Sequence, residues 1–96
     1  MSDIALKLNK KGRGGFVIEK NGEQLAKMVI SVQNAILTVY HTEVSEALQN
    51  QGLAASLFSE MVSYARKNKL KVIPSCSYVL AQFKRHPSDY EDIWNK

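Results

Sequence analysis

The chain has 96 residues, 45% of them hydrophobic and 23% charged, which suits one compact soluble domain spanning residues 1–96 and leaves no room for a second core. Its formal net charge of +4 favours anionic partners in general, without choosing between a cofactor, a nucleic acid and an acidic surface. A single cysteine, Cys76, excludes an internal disulfide and a cysteine-based zinc cluster. With no charged-then-apolar leader and no long apolar run, neither a signal peptide nor a membrane span is expected, and a reducing compartment, cytoplasmic or nuclear, is the default.

Taken in order, Ile4, Leu6 and Leu8 alternate with Ala5 and Lys7, the period-two pattern of a half-buried strand. Lys10-Lys11-Gly12-Arg13-Gly14-Gly15 follows. It lacks the spacing of a P-loop and opens no helix, so it reads as a mobile basic hairpin loop. A second strand is expected over residues 16–20, then a tight turn at Asn21-Gly22, where both residues tolerate positive φ. Residues 24–32 make the third strand, with Ala26, Met28 and Ile30 on one face, and Gln33-Asn34 turns the chain again. Residues 35–44, rich in β-branched and aromatic side chains, make the fourth. Four strands at hairpin spacing predict an antiparallel meander.

The period then changes. Ala54, Leu57, Phe58, Met61, Val62 and Ala65 form the apolar stripe of a core-facing helix. Arg66, Lys67 and Lys69 sit at its C-terminus, where cations suit the helix dipole. Residues 70–73 form a short fifth strand ended by Pro74. A helical crossover makes that strand parallel to the fourth. Ser75 or Ser77 is placed to cap a last helix carrying Val79, Leu80 and Phe83. His86-Pro87 ends that helix; His86 and Tyr90 cap it and pack the tail, with cofactor contact as the alternative, and residues 88–94 are expected to be a short helical tail. The order is ββββαβα and the fold class α+β.

Between the fourth strand and the helix lies Gln49-Asn50-Gln51-Gly52-Leu53-Ala54. A helix starting here leaves its first N–H groups without intrahelical partners, at the positive end of the dipole. Such an end accommodates phosphate, and Gly52 allows close backbone approach because it has no Cβ.

This strand–loop–helix arrangement resembles the GNAT acetyltransferase superfamily. Its loop carries Gln or Arg, then Gly three residues on, then Gly or Ala two further, as Gln49, Gly52 and Ala54 do. A narrower likeness is to a small single-domain GNAT-like subfamily with a cysteine after the fifth strand. Its segments read here as His41-Thr42-Glu43-Val44, the glycine loop, Pro74-Ser75-Cys76, and His86-Pro87 with Tyr90 following, in that order. The resemblance implies acetyl-CoA as acyl donor. It sets the pyrophosphate on amides of residues 51–55, with Gln49, Asn50, Gln51, Gly52, Leu53, Ala54 and Ala55 as binding residues. It also implies that strands four and five splay apart, so that the pantetheine arm pairs with the exposed edge at Thr42, Glu43 and Val44. The chain lacks the final β-hairpin of longer members, which leaves the amine acceptor, a small molecule or a protein lysine, unassigned.

Three residues are candidates for catalysis. Cys76 follows the fifth strand at the start of a helix, a position that lowers a thiol pKa. Two roles stay open for it: taking the acetyl group from the thioester, or lining the pocket as a small hydrophobe. His41 and Glu43 alternate onto one face of the fourth strand, as a general base for an ammonium acceptor or as a solvent-facing polar pair. The competing class is a CoA-binding regulatory module without turnover. Nucleic-acid binding rests on the basic surplus alone, without the interleaved aromatics of an RNA-binding sheet, and oligomeric state is not legible.

Overall fold

The structure is a computed structural model that describes residues 4–96. Five strands, β1 (Ile4–Leu8), β2 (Arg13–Lys20), β3 (Glu23–Gln33), β4 (Ile36–Val44) and β5 (Lys71–Pro74), form one sheet in the order β1-β2-β3-β4-β5. The first four are an antiparallel meander, and β5 joins β4 in parallel. A single 3₁₀ turn (Glu46–Leu48) and the helix α1 (Leu53–Lys67) connect β4 to β5, and α2 (Ser77–Arg85) and α3 (Pro87–Tyr90) follow. The α+β class and the ββββαβα order expected from the sequence are both present.

Periodicity explains which face is covered. Phe16, Ile18, Ala26, Met28, Ile30, Leu37 and Val39 lie on one sheet face, buried against Leu57, Phe58, Met61, Val62 and Ala65 of α1 and Val79 and Phe83 of α2. Phe58 meets Phe83 and Tyr78 edge-on at ring-centroid distances of 6.0 and 6.2 Å, so both helices share this face. Each fully buried side chain of this size contributes about 1.5–3 kcal/mol by leaving water. Among the described residues, no helix packs against the other face of the meander.

Three expectations change. The glycine pair after the basic turn belongs to β2 rather than to a loop: Gly14 pairs with Leu8 and Ile30, and Gly15 with Lys7 and Val29. A Cβ would fall 1.8 Å from the Lys7 carbonyl oxygen at Gly14 and 2.3 Å from that of Met28 at Gly15. These glycines therefore serve close strand approach, not loop freedom. Nor is the preceding turn loose, since Asn9 Oδ1 accepts from the N–H groups of Lys11 and Arg13 at 2.8 and 3.1 Å. Val32 N–H also donates to the Gly12 carbonyl at 2.7 Å, and Gln33 Nε2 donates to the Lys11 carbonyl at 3.0 Å.

The second change is at the start of β4. Asn34 and Ala35 both take positive φ, 53° and 65°, so Ala35 belongs to the turn and the strand begins at Ile36. The third is the C-terminus. Cys76, not Ser75 or Ser77, is the N-cap of α2, and no side chain caps it. The helical tail stops at Tyr90; residues 91–93 form a turn, closed by Trp94 N–H donating to the Tyr90 carbonyl at 2.8 Å, and Trp94 then bridges to Val72. Val72 N–H donates to the Ile93 carbonyl at 2.6 Å and Asn95 N–H to the Val72 carbonyl at 2.9 Å. This bridge pairs the free edge of β5, where open N–H and C=O groups would otherwise invite another strand. As expected, His86 links the last helices, as C-cap of α2 and N-cap of α3, and Tyr90 packs the tail by stacking on Phe83 at 5.1 Å.

Candidate active site

The site is built from an interruption in sheet pairing. β4 pairs with β5 only from Ile36↔Lys71 to Val39↔Pro74. Pro74 has no N–H with which to extend the ladder, and the chain then turns into α2. β4 continues to Val44 against β3 alone. At the end of the shared stretch, β3 pairs Ile30 with Val39 but Val29 with His41, so Tyr40 is an extra residue, a β-bulge. Beyond it, Ser45 N–H donates to the Leu25 carbonyl at 2.8 Å. Backbone groups of a strand alternate in direction, so Thr42 and Val44 turn theirs to the side that β5 has vacated. Through their pairing with Met28 and Ala26, their side chains stand on the helix-covered face.

Beside this open edge is the start of α1. Its N-cap is Gly52 at φ 77°, with no side-chain cap and no acidic residue in the first turn. Ser56 N–H makes the first turn's bond, to the Gly52 carbonyl at 3.0 Å. The N–H groups of Leu53, Ala54 and Ala55 precede it and have no carbonyl four residues back within the helix. A cavity of about 360 Å³ adjoins them, lined by Thr42, Val44, Gln49, Asn50, Gly52, Leu53, Ala54, Ala55 and Tyr78. Of the residues expected to bind a donor, Gln51 and Glu43 are absent from this lining. A Cβ on Gly52 would meet nothing within 4 Å. The glycine serves the left-handed backbone that turns the chain into the helix, and it leaves space in front of the free amides.

Cys76 is not part of the lining of this slot but lies behind it: buried, it places Sγ 3.5 Å from Thr42 Oγ1. Tyr78, two residues on in the first turn of α2, was not singled out in the sequence. There it reads as one more aromatic among Val79, Leu80 and Phe83, and only the slot shows that it reaches the cavity. Burial pushes its phenol above the ordinary tyrosine range, so at neutral pH it is a hydrogen-bond donor. His41 and Glu43 stand on the opposite face, as their pairing with Val29 and Lys27 requires. Their side chains are 57% and 59% exposed and joined by a 2.7 Å contact between His41 Nε2 and Glu43 Oε2. The structure thus unites Thr42, Val44, the loop, Cys76 and Tyr78 on one face and sets the His41–Glu43 pair on the other. Among the described residues, no cluster of three His, Cys, Asp or Glu side chains is placed to hold a metal ion.

A mixed sheet that opens at its one parallel pair, with an uncapped helix N-terminus beside the opening, is a GNAT-class fold. The chain belongs to the GCN5-related N-acetyltransferase family, whose model matches residues 15–93. Among solved structures it is similar to a GCN5-like protein from Staphylococcus aureus, with 30% identity, a TM-score of 0.68, and coverage of 99% of this chain and 91% of that one. It also shares its fold with the ribosomal-protein-S18-alanine N-acetyltransferase of Escherichia coli, at 18% identity and TM-score 0.65, covering 80% of this chain and 53% of that one. An IAA acetyltransferase from Bacillus cereus is similar at 18% identity and TM-score 0.59, over 77% and 53% of the two chains. The chain thus spans about half the length of these last two enzymes. A comparison with curated proteins finds no match.

Proposed function

We propose that this protein is an acetyl-CoA-dependent N-acetyltransferase acting on an amine. The observation that carries the reading is that one cavity joins the unpartnered amides of Leu53, Ala54 and Ala55 to the unpaired edge of β4. The amides and the helix dipole suit a pyrophosphate. The edge of Thr42 and Val44 offers backbone groups to the amides of a pantetheine arm, as a sheet edge does to an added strand.

The chemistry then falls to a few groups. A neutral amine attacks the thioester carbonyl, forming the N–C bond while the C–S bond breaks. Strand-edge N–H groups stabilise the oxyanion that develops on the carbonyl. Tyr78 gives its phenolic proton to the departing thiolate. His41 or Glu43 takes the proton from an acceptor that approaches on the open face of the sheet, where the pair stands exposed. In the covalent variant, Cys76 takes the acetyl group first, with the CoA thiol leaving, and passes it to the amine. No helix among the described residues is long and apolar enough to cross a membrane.

Calorimetric titration with acetyl-CoA, followed by mass-detected acetylation of a panel of amines, tests the reading on wild type, Cys76→Ala and Cys76→Ser. Saturable binding and product from at least one amine are expected. Absence of binding defeats the proposal, and binding without product from any amine identifies a regulatory CoA-binding module instead. Full turnover in both cysteine variants ends the covalent route.

A further inference from the structure

The basic turn between β1 and β2 plays no part in the donor site, yet it is held firmly in place. Its pinning by Asn9, Val32 and Gln33 fixes the start of β2, and with it Arg13, at the margin of the uncovered sheet face. There a depression of about 510 Å³ is lined by Asn9, Arg13, Gly14, Lys27, Val29, Ile30 and Tyr40. This size suits a small organic ligand. Gly15, opposite Val29, and Val17, opposite Lys27, are buried although the core under the helices excludes them, so the face is concave here. Tyr40 follows directly on Val39, the last β4 residue paired with β5, so the depression and the slot lie on opposite faces of the sheet about the place where β4 loses its partner. Ser31, itself buried, places Oγ 3.1 Å from the Tyr40 hydroxyl and holds that ring in place.

The charges around the depression are unequal. Its lining carries two cations, Arg13 and Lys27, and no acid. Neither cation has an ion-pair partner among the described residues. Two acids on this face are engaged with other groups: Glu19 pairs with Lys7 at 3.0 Å, and Glu43, although opposite Lys27 in the ladder, is bonded to His41. We infer that this depression is the acceptor site, and that the acceptor is a small amine carrying a carboxylate or phosphate, which Arg13 and Lys27 hold while the amine reaches past Tyr40 to the slot. The inference rests on the acetyltransferase reading and adds the acceptor's class. A guanidinium forks onto either anion with two parallel hydrogen bonds, and an ammonium supplies a mobile point charge beside it. Polyamines, the other common small acceptors, meet like charge at both positions.

The test compares ω-amino acids and ω-aminoalkyl phosphates of increasing length with alkylamines and diamines of equal length. Wild type, Arg13→Gln, Lys27→Gln and the double variant are each assayed for transfer and titrated with acetyl-CoA. Anionic amines are expected to exceed the neutral ones by about tenfold or more in kcat/KM, with most of that preference lost in the double variant. The affinity for acetyl-CoA should stay the same in all four proteins. The carboxylate and phosphate arms decide which anion is preferred. Transfer that ignores acceptor charge, or favours diamines, overturns the inference while the acetyltransferase reading stands. Failure to bind acetyl-CoA would instead overturn that reading. An amide-shift titration with 5-aminopentanoate and 3-aminopropyl phosphate decides the site itself without turnover. Shifts at Gly14, Val29 and Tyr40 that vanish in the double variant support it, and shifts elsewhere or none refute it.

Discussion

The two halves of β4 are one continuous strand with opposite tasks. From Ile36 to Val39 it is paired on both sides, and Leu37 and Val39 are fully buried. From His41 to Val44 it is paired on one side, and its residues alternate between exposed and half-buried. Local propensity does not separate them, since β-branched and aromatic residues occur in both. What differs is the neighbour. Once Pro74 ends β5, the same backbone that built a ladder is left with open N–H and C=O groups, the edge to which the proposed function assigns the donor. A binding edge is a strand whose partner has been taken away, and the bulge at Tyr40 marks the boundary.

Substitutions can break that contrast, the largest in the closed half. Leu37→Ala should cost about 2–5 kcal/mol of unfolding free energy, seen as a lowered denaturation midpoint with an unchanged denaturant slope. A cost below about 1 kcal/mol would mean that the half is not core. In the open half, Tyr78→Phe should lower kcat by about a hundredfold while leaving acetyl-CoA affinity within twofold. Equal losses in both would make Tyr78 a binding residue and not a proton donor.

Gly52→Glu puts a carboxylate and a Cβ where the free amides face the cavity. Acetyl-CoA affinity should fall about tenfold or more, with a stability change near 1 kcal/mol. Unchanged affinity by calorimetry would remove the helix N-terminus from the site. The smallest effect lies far from both halves, where Arg66 Nε donates to Asp92 at 2.9 Å. That hydrogen bond holds the Asp92 carboxyl below its ordinary range and the Arg66 guanidinium above its own. A depressed carboxyl pKa contributes stability above the unfolded value, and the contribution disappears as pH falls through the folded one. Both side chains are largely exposed, so Asp92→Asn should cost less than about 1 kcal/mol at pH 7. The difference from wild type should shrink as pH falls below the ordinary carboxylate value of about 4 and vanish once the folded-state carboxyl is protonated. A difference that persists there would assign the effect to packing.

Much of the fold was legible because it follows from local period and turn chemistry. The tight turn at Asn21-Gly22 takes φ of 54° and 80°, as its residue types predict, and every apolar position of the helix stripe except Ala54 is buried in α1. The glycine loop was legible for the same reason, since a helix start has a sequence signature. Gly14 and Gly15 were misread because a glycine pair looks alike in a loop and in a strand that needs close neighbours. The Trp94 bridge was misread because the signal for it lies in β5, some twenty residues earlier. Tyr78 and the separation of His41 and Glu43 from Thr42 depended on knowing which side of β4 had lost its partner.

By itself, then, the sequence determined the element order, the helix that buries its stripe, and the loop that opens that helix, because these depend on residues within a turn or two of each other. Only the tertiary structure decided which edge of β4 is open, that Cys76 and Tyr78 meet it on the covered face, and that Arg13 and Lys27 flank a depression on the other. Those outcomes depend on where β5 stops and where a single extra residue enters the ladder, and pairing between distant strands is not written in any one stretch of chain.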